Sequence, residues 1–246
     1  MHAVLTVLQK EIATFFNSLI AYVVLIVFLI AMGLFVWVFE YNILEPGNTY
    51  ATLDALFFYG PYLFLFLIPA ITMRAFSDEI KAGTIELLLT KPLTEWHLVV
   101  GKYFAAVILV LIALIPTLIY YTTVYWLGDP MGNIDHGATI GAYIGLFFLG
   151  GIFAAIGIFT STLSDNQIVA FLLAVFLSFI FYQGFEFLAG LRAVGTLNEI
   201  ILNVGIAEHY RSISRGVIDT RDLLYFISFI AIVLLLTRWW LEKRKG

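Results

Sequence analysis

The sequence has no cysteine. Disulfides, cysteine-ligated metals and thiol chemistry are therefore excluded. Charge is also scarce. Asp, Glu, Lys and Arg make up 12% of the chain, whereas a soluble domain carries about 25%. A chain that is 62% hydrophobic cannot cover itself with a polar surface, so its solvent is the bilayer. The motifs of self-sufficient catalysis are missing as well. There is no GxxxxGK(S/T) phosphate loop, so the chain is not expected to hydrolyse ATP itself. There is no HExxH, and His2, His97, His136 and His209 are scattered. No GxSxG nucleophile turn occurs. No basic patch with interleaved aromatics points to nucleic acid. Single carboxylates near a membrane face still leave room for an intramembrane enzyme acting on a lipid-linked substrate.

What the sequence does have is long apolar runs. A spanning helix needs about 20 mostly apolar residues. Runs of that kind cover 18–39, 55–73, 103–127, 137–163, 167–190 and 223–239. They are continuous rather than alternating, which excludes barrel strands. The spacing predicts an all-α integral membrane protein, with six transmembrane helices forming one domain over 1–246. Of thirteen Lys and Arg, Lys10, Arg74, Lys81, Lys91, Lys102, Arg238, Lys243, Arg244 and Lys245 fall on the side of the termini. Arg192, Arg211, Arg215 and Arg221 fall opposite. The excess of cations on the first side predicts an N-in/C-in orientation. The four exceptions all lie in one loop, 191–221.

Residues 1–17 carry one cation and precede a run too long for a signal core, so a retained segment is expected. Val4, Leu5, Leu8, Ile12, Phe15 and Phe16 recur at helical spacing, with Lys10 and Glu11 on the other side. This pattern predicts an interfacial amphipathic helix. A helical extension of the first span is the competing reading.

The densest internal charge lies in "FSDEIKAGTIELLLTKPLTEW", residues 76–96. Asp78 and Lys81 can pair at i,i+3. Ala82-Gly83 weakens the helix there. Thr84 can cap a short new helix with Glu86 in its first turn. Ile85, Leu88 and Leu89 share one face. Pro92 ends the helix, and Thr94 caps the third span. A short amphipathic helix between two breaks either rests on lipid or docks on a partner.

The stretch "DEIKAGTIELLLTKPLTEWHLVVGKYF" resembles the ABC-2 family of ABC-transporter permeases. Gly83, Thr84, Glu86, Leu87, Leu88, Pro92, Gly101 and Lys102 carry the match. Within that family the closest resemblance is to permeases of gliding-motility-associated transporters. The resemblance implies that 75–96 is a cytoplasmic coupling region docking on a separate ABC ATPase dimer, with Asp78 and Glu79 at its start. ATP-Mg would be bound there, and this chain would need no cofactor. It further implies a second permease copy or related permease as partner, and a multi-pass place in the bacterial cytoplasmic membrane. ATP hydrolysis would drive translocation, in the export direction. Membrane lipids, and an accessory membrane or extracytoplasmic subunit, complete the expected partners; nucleic acid is not among them. A membrane scaffold in a motility or secretion assembly is the remaining alternative.

Smaller polar islands fit the same frame. Ser164 and Gln167 have capping-box spacing. The resemblance places Asp165 and Asn166 at a tip near the ATPase. Gly141 and Gly145 form GxxxG, which serves packing within one subunit or at a dimer interface. Glu186 lies near the outer end of the fifth span, either reaching headgroup water or serving function. In 206–216, Ile206, Tyr210 and Ile213 share a face and Gly216 is a natural stop. Asp219 or Thr220 can cap the last span. The resemblance makes 191–221 a re-entrant or interfacial outer loop, with Glu186, His209 and Arg215 as candidates for an outer gate. Trp239, Trp240 and the basic tail read as an interfacial anchor on anionic lipid.

Overall fold

The computed structural model describes residues 2–39, 51–85, 94–190, 202–216 and 219–245. Every regular element among them is helical, apart from one isolated bridge between Ala51 and Ile134. In chain order the helices are α1 (His2–Phe16), α2 (Leu19–Trp37), α3 (Asp54–Thr72), α4 (Ser77–Lys81), α5 (Glu95–Leu114) and α6 (Leu118–Leu127). They continue as α7 (His136–Leu163), α8 (Gln167–Phe179), α9 (Phe185–Gly190), α10 (Ile206–Ser214) and α11 (Thr220–Lys245). A 3₁₀ turn, Ile115–Thr117, joins α5 to α6, and a π turn, Ile180–Gly184, joins α8 to α9. Helix dominates because a bilayer offers no partner for backbone N–H and C=O groups.

Six helical stretches are long and apolar enough to cross a membrane: Leu19–Trp37, Asp54–Lys81, Glu95–Leu127, His136–Leu163, Gln167–Gly190 and Thr220–Arg244. The protein is thus an all-helical, multi-pass membrane protein. Two boundaries differ most from the apolar runs. The second stretch carries on through a turn into α4, and the third begins at Glu95 rather than near residue 103. The early start follows from the cap. Thr94 accepts from the His97 backbone N–H, while the His97 ring accepts from the Thr94 N–H. Lys102, just ahead of the apolar run, therefore lies inside the helix that Thr94 caps.

α7 is the central post. Leu146, Leu149, Ile152, Phe153, Ala154 and Ala155 are fully buried. α3, α8, α10, α11 and α5 surround it. Lipid is as apolar as leucine, so close backbone approach rather than water exclusion holds such a bundle. The glycines of α7 supply it. A Cβ at Gly141 would lie 2.8 Å from the Gly216 Cα, and one at Gly145 would lie 3.1 Å from Ile213. The GxxxG pair is thus spent inside the subunit, against α10. The first, fifth and sixth spans are mostly exposed, and Ile26, Val27, Leu172, Phe176 and Leu235 face outward.

Contacts place both termini at one end of the bundle. Arg74, at the close of the second span, reaches Ser18 and Gln167, and Arg244 reaches Thr162. α10 lies at the far end, where the Tyr210 hydroxyl donates to the Phe57 carbonyl at 2.7 Å.

Candidate functional site

At the end carrying the termini, Gly101 and Lys102 form a joint between α1 and α5. A Cβ on Gly101 would lie 2.8 Å from Val7 Cβ and 3.1 Å from the Val4 carbonyl oxygen. Only glycine lets α1 lie this close. The neighbouring Lys102 side chain is 2% exposed. Its Nζ donates to Glu11 Oε1 at 2.7 Å, Glu79 Oε1 at 2.9 Å and the Ala75 carbonyl at 2.5 Å. An ammonium has three N–H donors, and here each has an acceptor. The ammonium also sits 4.9 Å from the centre of the Phe76 ring. Lys10 donates to the same Glu79 oxygen at 3.0 Å. Partial burial alone would lower the Lys10 pKa. The hydrogen bond and charge of Glu79, with the charge of Glu11, outweigh it and raise the pKa above 10.5.

Glu79 belongs to α4, so this cluster fastens the start of the 75–96 region to α1 and to the third span. α4 ends as the sequence predicts: Gly83 takes φ +65° with open space around it, a left-handed cap after Ala82. Thr84 is already helical, and its hydroxyl donates to the Glu79 carbonyl at 3.3 Å. Lys81, Gly83 and Thr84 are exposed, and Ile85 is buried. Glu86, Leu87, Leu88 and Pro92 lie outside the described residues.

A second set of contacts ties the turn after the fourth span to the same place. Gln167 donates to the Asp78 carboxylate and accepts from Arg74 Nε at 3.0 Å. Arg74 Nη1 donates to Ser18 at 3.1 Å. Asp78 therefore meets Gln167 rather than Lys81. The cap at α8 also differs from expectation. Asn166, not Ser164, is the N-cap, accepting from the Ile168 N–H at 2.9 Å. Ser164 instead accepts from the Asn166 N–H at 3.1 Å. Gln167 is drawn away from a capping box by two charged side chains, Arg74 and Asp78, whose hydrogen bonds to it outweigh a neutral cap. Asp165 and Asn166 are exposed. The basic tail braces this turn from the other side, since Trp240 Nε1 and Arg244 Nη1 donate to the Thr162 carbonyl at 3.3 and 3.1 Å. The tail thus has a protein partner as well as its expected lipid one.

At the far end, Ile206, Ala207, Tyr210 and Ile213 of α10 are buried against the bundle. Glu186 pairs with Arg211 and accepts from Gln183, which in turn accepts from the Tyr62 hydroxyl at 3.2 Å. His209 lies 2.6 Å from Asp222 and 2.9 Å from the Asn203 carbonyl, and stacks on Tyr225 at 3.8 Å. Arg215 is exposed and stands apart from both groups. Asp219 accepts from the Arg221 N–H at 2.9 Å, as a cap to α11.

Of the residues singled out in the sequence, Asp78 and Glu79 come together near Lys102 and Gln167. Glu186 meets α10 through Arg211 and His209 lies on α10, in separate contacts. Lys102, Arg211 and Asp222, to which the sequence spacing assigns no contact, hold these groups together with Gln167, which the spacing reads as half of a capping box. Lys102 left a signal: a lone lysine after glycine in "VVGKYFAAV". Among the described residues no group of three His, Asp or Glu is placed to hold a metal ion.

A family model described as "ABC-2 family transporter protein" matches residues 5–237. No curated protein matches the chain.

Proposed function

The chain belongs to the ABC-2 family of transporter proteins, a transport component rather than a catalytic enzyme, and on that premise we propose that it is driven by a separate cytoplasmic ABC ATPase through 75–96 and the turn at 164–167. The observation that carries this reading is the pair of ties at one end of the bundle. Glu79 to Lys102 links α4 to the third span and α1. Asp78 to Gln167 links α4 to the fifth span. A push on the exposed Lys81–Thr84 corner or on Asp165–Asn166 would reach four helices through charged contacts. A conformational change requires that the ATPase bind one arrangement more tightly than the other, because equal affinity shifts nothing.

In this reading ATP-Mg is held on the partner, and the termini face the cytoplasm of a bacterial inner membrane. A second permease, identical or related, covers the exposed faces of the first and fifth spans, and substrate leaves past α10. Export is the direction proposed. The association with gliding motility rests on the sequence resemblance over 78–104. Glu86→Lys tests the docking. It should leave membrane insertion intact and lower ATPase stimulation in the reconstituted complex about tenfold, the effect of roughly 1.4 kcal/mol at an interface. Unchanged complex formation and stimulation would contradict the docking role.

A further inference from the structure

We propose that the groove between the third, fourth and sixth spans binds an ester-linked glycerophospholipid of the leaflet that holds α1, with an ester carbonyl accepting from the Tyr103 hydroxyl. α11 packs on α5 and α7, yet leaves between them a cavity of about 460 Å³. Ligand pockets measure about 300–1,000 Å³ and are mostly apolar, with a few placed polar groups. This groove has that character. Phe104, Val107, Phe147, Ile227 and Leu235 form apolar walls, and the polar side-chain atoms are the Tyr103 hydroxyl and the Trp96 indole N–H. Phe104, Ile227 and Leu235 are exposed, so the groove opens sideways to the bilayer.

The hydroxyl gives this groove a preference that apolar walls alone lack. Tyr103 is 7% exposed, and a buried tyrosine hydroxyl ordinarily finds a partner. Tyr120, Tyr143, Tyr210 and Tyr225 each donate to a backbone carbonyl. Tyr143 does so at the wall of a second apolar groove, of about 410 Å³, which is thereby left without a free hydroxyl. The Tyr103 hydroxyl has no hydrogen-bond partner among the described residues. Nor is it sealed in, since the closed side-chain oxygens without a partner there are Glu79 Oε2, Ser178 Oγ and Asp222 Oδ2. It crosses the groove floor to α7, where a Cβ on Gly151 would lie 3.1 Å from it. Glycine keeps that space clear.

The acceptor must come from outside the chain. Water needs about two to four polar partners, and the groove offers one hydroxyl at this point. A helix of a second copy has its carbonyls spent on its own N–H groups. A phospholipid ester supplies the missing combination, a carbonyl acceptor at the head of an apolar chain. The depth agrees. Gly101 lies against α1, the amphipathic helix at that membrane face, and Tyr103 follows after about 3 Å of helix rise. Trp96, about two turns nearer the face, stands where indole rings meet headgroups. The acyl chain then runs inward past Val107 and Phe147.

Native mass spectrometry of the full chain tests this. The chain is released from micelles holding equal amounts of diester and diether phosphatidylcholine, alike in headgroup and chain length. One diester lipid should stay bound per chain, about fivefold over the diether, the ratio given by one neutral hydrogen bond. Tyr103→Phe should retain the two lipids equally. The same variant should melt at the unsubstituted midpoint in an ester-free detergent, because the hydroxyl bonds nothing within the chain. Ala231→Trp, which fills the groove from α11, should lower retention of both lipids about tenfold. Equal retention of diester and diether by the unsubstituted chain would overturn the proposal. So would a diester preference that survives Tyr103→Phe, or a Tyr103→Phe midpoint below that of the unsubstituted chain. No retained lipid, the result where a helix of a second copy fills the groove, would overturn it as well, as would undiminished retention by Ala231→Trp.

Discussion

Lys102 shows how one charge can organise one end of a membrane protein. Its ammonium holds two carboxylates from different helices and a carbonyl from the turn between α3 and α4. A buried ion pair gains little over a well-packed apolar pair, but removing one partner leaves uncompensated charge. Lys102→Met strands Glu11 and Glu79, so it should cost about 3 kcal/mol. For a chain of this size that lowers the unfolding midpoint in detergent by roughly 6–12 °C. Lys102→Met combined with Glu11→Gln and Glu79→Gln should recover most of the loss, which a melting series would show. The residue scale was only partly legible beforehand. Gly101-Lys102 is visible as a motif, yet nothing in the spacing reveals that its partners lie 91 and 23 positions away. Gln167 misled for a related reason. Its spacing from Ser164 fits a local capping box, and the distant Arg74 and Asp78 claim it instead.

A second residue offers a titration. The Tyr210 hydroxyl is buried and donates to Phe57. Burial, then the neighbouring Tyr182, pushes its pKa well above the ordinary 10.0. A raised folded-state pKa means that the contribution is complete below pH 10 and fades as pH climbs above it. Tyr210→Phe should cost about 1 kcal/mol at pH 7, or roughly 2–4 °C of midpoint. Above pH 10 the gap between variant and unsubstituted chain should narrow. A gap that is constant from pH 7 to 11 would contradict this placement.

At the scale of elements, α1 was legible as a helix but not in its attachment. Its apolar periodicity fits a helix resting on lipid, and Leu5 is indeed half exposed. The side bearing Lys10 and Glu11, which reads as solvent-facing, instead meets α4 and α5, because Lys102 neutralises the acids there. Gly101→Ala tests that attachment. The added Cβ falls 2.8 Å from Val7, and the strain of such overpacking is about 1–3 kcal/mol. Spin labels at Leu5 and Trp96 are straightforward in a chain without cysteine. Their separation should lengthen and broaden in Gly101→Ala, and an unchanged distance would contradict the joint. The long spans were legible throughout because a bilayer demands continuous apolar helix. Their caps were legible in part: Thr94 caps the third helix as its type and place predict, whereas Asn166 rather than Ser164 caps α8. At the far end, hydrophobic spacing marked the buried face of α10 correctly. The cation meeting Glu186 is Arg211, one helical turn before the gate candidate Arg215, since pairing depends on the rotation of α10 rather than on its composition.

For the whole molecule, six spans, one of them glycine-rich and central, give one buried post and three exposed spans. Membership of the ABC-2 family fits a chain that carries no phosphate loop of its own. The central claim is that this end receives force from a nucleotide-driven partner. Photo-crosslinking in native membrane tests it most directly, with the reactive group placed in turn at Lys81, Thr84 and Asp165, and at Trp126 as a far-end control. The account predicts adducts to an ATPase subunit from the first three positions, altered by a non-hydrolysable ATP analogue, and none from Trp126. Adducts from Trp126 alone, or ATPase-active complexes in which Lys81, Thr84 and Asp165 touch only lipid, would contradict it.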